Sequence, residues 1–101
     1  MNQNAPTSEP PVACALPFDA AKAQLDRWRT FDHDYALSTE RTDTRLTIHY
    51  VKADDAIRRL HDLVAVERAC CAFVDWSIDD TGADLQLIVT GTPFQLDALG
   101  R

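Results

Sequence analysis

Glycine is scarce in this 101-residue chain, with three residues in all, and no glycine-rich phosphate-binding loop is present. No apolar run approaches the roughly 20 residues of a membrane-spanning helix. The N-terminus, MNQNAPTSEPPVACAL, has neither the basic start nor the apolar stretch of a secretory leader. Basic residues are also few: ten Lys and Arg against sixteen Asp and Glu give a net charge of −6, with no cationic stripe. A phosphate backbone or an anionic bilayer needs the opposite field, so the expected partners include no nucleic acid and no membrane. The simplest location is the cytoplasm. Cysteine is used three times, too few for a disulfide framework and an odd number for pairing. In a reducing compartment these residues are expected as free thiols or thiolates. No Ser-His-Asp or Cys-His-Asn order can be argued, and His33, His49 and His61 share no ligand spacing.

What is present is an ordinary globular composition, 46% apolar and 26% charged, in a chain long enough to bury one core without metals or disulfides. Residues 1–11, with Pro6, Pro10 and Pro11 among polar residues, read as a flexible tail. Residues 12–101 read as a single α+β domain. Val12 to Leu16 is a short apolar segment ahead of Pro17, suited to an edge strand or an extended lead-in. Asp19 caps a helix carrying Ala21, Leu25 and Trp28 to about Phe31. Alternation of Tyr35, Leu37 and Thr39, a polar turn at 41–43, and alternation of Leu46, Ile48 and Tyr50 predict an antiparallel hairpin. A second helix starts near Asp54 or Asp55 and runs to about Cys71, with Ile57, Leu60, Val64 and Cys71 in one stripe. A second hairpin follows from Val74, Trp76 and Ile78 and from Leu85, Leu87 and Val89, turning at 79–82. Thr92 and Pro93 open a short last helix holding Phe94 and Leu99. The expected fold is two-layered, an antiparallel sheet of about four strands in two hairpins with helices packed on one face.

The chemistry-bearing stretch is Glu67 to Phe73, ERACCAF. On the second helix Glu67 falls just off the centre of the apolar stripe, beside Leu60, with Cys70 and Cys71 three and four residues on. A carboxylate there needs a partner, and Arg58, Arg59 and Arg68 are the sequence neighbours able to supply one. Adjacent cysteines on a regular helix diverge by about 100°, so they converge only if the helix ends at the pair. Cys14 is the remaining thiol. Three thiolates from two segments suit Hg(II), As(III), Cu(I) or, with a fourth ligand, Zn(II). The candidate metal ligands are therefore Cys14, Cys70 and Cys71, with Glu67 assisting.

VACAL at 12–16, LVAVERACCAFVDWSI at 63–78 and LQLIVTG at 85–91 together resemble a family of small bacterial proteins with the pattern ACxL, ERxCCxF and LxVTxP. The resemblance spans most of residues 12–99. Many relatives carry proline after the cysteine pair, where this chain has Ala72. Genes of that family stand beside mercury and other metal-resistance functions, so the resemblance implies handling of thiophilic metals through Cys14, Glu67, Cys70 and Cys71. Soft-metal binding is thus the expected function, more than catalysis. The alternatives are a thiol enzyme, acting by organomercurial cleavage or redox exchange, and an interaction module that dimerises through an exposed sheet edge with its cysteines buried.

Overall fold

A computed structural model describes residues 18–99. The tail at 1–11, the segment Val12 to Leu16 and Cys14 lie outside the described residues. Three helices and four strands follow in the order α1 (Phe18–Tyr35), β1 (Ala36–Arg41), β2 (Arg45–Tyr50), α2 (Asp54–Cys70), β3 (Asp75–Asp79), β4 (Leu85–Thr90) and α3 (Pro93–Ala98). The sheet is antiparallel throughout, with strand order β1-β2-β4-β3. Each expected hairpin forms, and β2 joins them by pairing with β4 from Arg45↔Thr90 to Tyr50↔Leu85. The α+β class and the packing of helices against one sheet face agree with the reading from sequence.

Alternation sets the inner face. Leu46, Ile48 and Tyr50 on β2, Leu85, Leu87 and Val89 on β4 and Trp76 on β3 are buried together with Leu60, Leu63 and Val64 of α2. Polar tips within this core find acceptors: the Tyr50 hydroxyl donates to Asp32 at 2.9 Å, and the Tyr35 hydroxyl donates to Asp55 at 2.7 Å. In the second hairpin loop, Thr81 donates to Asp79 Oδ1 from both its backbone N–H and its hydroxyl, a turn made by a short acidic side chain. Thr92 caps the N-terminus of α3, as the Thr-Pro start predicts, and Gln95 completes a reciprocal capping box with it. Among the described residues no helix is long and apolar enough to cross a membrane.

Several details differ from the sequence reading. α1 continues to Tyr35, four residues beyond Phe31, so Tyr35 ends a helix rather than beginning a strand. Its buried face is Gln24, Trp28 and Phe31, whereas Leu25 is 46% exposed. The spacing of four and three along Gln24, Trp28 and Phe31 places the glutamine inside and the leucine outside. Leu37 is also exposed, at a register irregularity between Ala36 and Ser38. α2 starts after Ala53 with no side-chain cap, although Asp54 and Asp55 sit in its first turn. In α3 the buried residue is Leu96, and Phe94 faces outward.

Candidate metal centre

The site is built where α2 stops. The helix includes Cys70, and Cys71 leaves helical geometry with φ −124° and ψ 55°, its N–H still donating to Glu67 O. That departure removes the divergence expected of neighbouring helical side chains. The two sulfurs stand 4.0 Å apart. Trp76 holds the turn from the far side, donating from Nε1 to Cys71 O at 2.9 Å, while Arg68 donates to Trp76 O at 2.9 Å. The helix therefore ends between the cysteines with Ala72, and no proline, after the pair.

Glu67 is only 7% exposed. Its Oε2 accepts from Trp28 Nε1 at 2.7 Å and from Gln24 Nε2 at 2.9 Å. Gln24, itself 3% exposed, also donates to Leu63 O and accepts from Arg27, which ties α1 to α2 through one amide. Two neutral donors from another helix thus hold the carboxylate, in place of the expected arginines. Arg58 pairs with Asp55, Arg59 pairs with Asp34 and Asp55 at 3.4 Å each, and Arg68 is bonded to Trp76 O. The two indoles that brace the site stack on each other, with ring centroids 6.4 Å apart and planes 25° from parallel.

One ligand atom from each of Glu67, Cys70 and Cys71 lies within 4.8 Å of the others, a grouping able to hold a metal ion. The thiol chemistry is uneven across the pair. Cys70 is the free cysteine among the described residues, half-buried, with Sγ 3.0 Å from Val66 O. Burial first, and then the negative charge of Glu67, push its pKa above the ordinary thiol value. Cys71 is buried and disulfide-bonded, which corrects the expectation that every cysteine is a free thiol. Its partner lies outside the described residues.

Sequence spacing located Glu67, Cys70 and Cys71, and the structure brings these three together. It missed Gln24, Trp28 and Trp76, which position them. A signal for the first two existed: a glutamine one turn before a tryptophan, on the face that also carries Phe31, is a polar group placed in an apolar stripe. Of the histidines, His49 is held between Glu40 at 3.0 Å and Asp84 at 3.3 Å on the far side of the sheet, while His33 and His61 are exposed. No protein-family model matches the chain, and neither the curated proteins nor the solved structures give a match.

Proposed function

We propose that the reduced chain captures a soft metal or metalloid ion, Hg(II) or As(III) above all, through Cys70 and Cys71, with Cys14 as a third thiolate and Glu67 as the charge beside them. The observation that carries this reading is the convergence of Glu67, Cys70 and Cys71 ligand atoms within 4.8 Å. Soft thiolates favour these ions over Mg(II) or Ca(II), which prefer oxygen. The resemblance to proteins associated with metal resistance supports the same theme. With Oε2 occupied by two donors, Glu67 is better suited to favour a cation through its charge than to serve as a principal ligand. Capture by both sulfurs requires Cys71 to be reduced, because a disulfide sulfur is not a thiolate, whereas Cys70 is free to bond a monovalent soft cation in either state. Titration of reduced protein with Hg(II) or arsenite tests the reading: one ion per chain is expected, with affinity lost in Cys70→Ser and in Cys71→Ser. Equal affinity in wild type and both variants would end it.

A second reading has its own observation, a disulfide-bonded Cys71 with the Cys70 sulfur 4.0 Å away. That arrangement fits a chain that cycles between dithiol and disulfide and binds its ion only when reduced. Oxidation of reduced protein is then expected to lower its mass by about two units, for the two hydrogens lost as one disulfide forms. Three thiols still alkylatable after mild oxidation would remove the redox reading and leave metal capture standing.

A further inference from the structure

An open cleft of about 480 Å³ lies between α1 and α2, lined by Gln24, Asp26, Arg27 and Thr30 on one side and Arg59, Asp62, Leu63 and Val66 on the other. Ligand pockets for small organic molecules run from about 300 to 1,000 Å³, so this volume is far more than a bare ion needs. The cleft shares its walls with the thiol site. Gln24, which lines it, donates to the Glu67 carboxylate, and Val66, which also lines it, accepts from Cys70 Sγ. At 100° per residue, Arg59, Asp62, Leu63, Val66 and Cys70 fall within an arc of about 100° on α2. Cys70 therefore stands one turn beyond Val66 on the face that forms the cleft wall.

From this we propose that the cleft seats the organic group of an organo-element cation whose soft atom bonds Cys70, such as an aryl–Hg(II) species. Leu63 and Val66 offer the apolar wall, and the aliphatic stems of Arg27 and Arg59 extend it. In the binding step the Cys70 thiol loses its proton to solvent, a sulfur–mercury bond forms, and the bond from mercury to its chloride or hydroxide breaks. No atom changes oxidation state. The inference rests on the reading that Cys70 takes a soft ion.

The test uses the full chain with its Cys71 disulfide intact, titrated with methylmercury and phenylmercury in competition with a free thiol, the adduct being mapped to Cys70 by peptide mass. The phenyl-to-methyl affinity ratio is expected to exceed that of the free thiol by at least about tenfold, the effect of burying a ring against apolar side chains. Thr30→Trp, which fills the cleft from an exposed position, is expected to abolish that excess while leaving methylmercury affinity unchanged. A cooperative thermal transition close to that of wild type shows that the variant is folded. A ratio equal to that of the free thiol, or one that survives Thr30→Trp, overturns the cleft inference and leaves the soft-ion reading in place. Failure of both compounds to add to Cys70, with the disulfide intact and again after its reduction, overturns both.

Discussion

Replacing Glu67 by glutamine separates what the carboxylate does for folding from what it does to the thiols. In the native chain Oε2 accepts from Trp28 Nε1 and Gln24 Nε2. A hydrogen bond to a charged group contributes about 1.5–3 kcal/mol, against about 0.5–1.5 between neutral partners. The glutamine keeps one acceptor oxygen for both donors, so each bond survives but loses its charge assistance. The expected destabilisation is about 2–3 kcal/mol for the two bonds together. At 4–8 °C per kcal/mol for a domain of this size, the thermal midpoint falls by about 10–20 °C. The same substitution removes the second cause of the raised Cys70 pKa and leaves burial, the first, in place. Cys70 is then expected to titrate lower than in wild type, though still above an ordinary thiol. Both effects are read on one sample with the disulfide intact, by thermal unfolding and by the pH dependence of iodoacetamide modification mapped to Cys70. A midpoint within about 2 °C of wild type, less than about 0.5 kcal/mol, would refute the account of the carboxylate as a joint between α1 and α2. A Cys70 titration that stayed put or moved upward would refute the electrostatic part.

Three further outcomes follow from other contacts. Gly91→Ala would bring a Cβ to 2.9 Å from both Gln95 Oε1 and Val74 Cγ1, disturbing the α3 capping box and the core edge, and is expected to cost about 1–3 kcal/mol in urea unfolding. Asp55 is held below the ordinary carboxyl pKa mainly by the hydrogen bond from Tyr35, so its contribution is present above the unfolded carboxyl value and lost as pH falls through the lower folded value. Tyr35→Phe is therefore expected to flatten the acid limb of stability below about pH 4, measured as urea midpoint against pH. Because Cys70 is a thiol at neutral pH, soft-ion capture releases its proton, and apparent affinity should rise about tenfold per pH unit for each proton displaced until the raised Cys70 pKa is passed; calorimetry in buffers of different ionisation enthalpy counts the protons.

The legible parts of the fold were those set by strict period two. Leu46, Ile48 and Tyr50 alternate, as do Leu85, Leu87 and Val89, and all six are buried on one face. A sheet strand has only two faces, so alternation fixes the inner one where one face is buried. β1 is exposed throughout, and there the alternation of Tyr35, Leu37 and Thr39 misled, Tyr35 ending a helix and Leu37 facing outward. The first helix left more choice, because Leu25 and Gln24 are neighbours 100° apart and hydropathy favours the leucine. Tertiary context reversed that preference: Gln24 satisfies Leu63 O and the Glu67 carboxylate at once, which an apolar side chain cannot do. The site was legible as a set of residues on α2 and not as a structure. Whether Cys70 and Cys71 converge depends on backbone angles at the helix end, and those are fixed by bonds from Trp76 and Arg68 across the turn to β3, five to eight residues away.

The electrostatics of the assembled site favour the proposed capture of a cation over nucleophilic catalysis. A thiol nucleophile in an enzyme works by being a thiolate at neutral pH, made so by a nearby cation, a histidine or a helix N-terminus. Cys70 has the opposite surroundings: it ends a helix, where the partial charge is negative, it is partly buried, and Glu67 adds a negative charge that raises its pKa further. Each of these disfavours the bare thiolate and each is relieved by a bound cation, which neutralises the carboxylate and the thiolate together. The arrangement therefore disfavours the bare thiolate, and the proposed capture of a ligand that brings its own positive charge is the chemistry these surroundings suit.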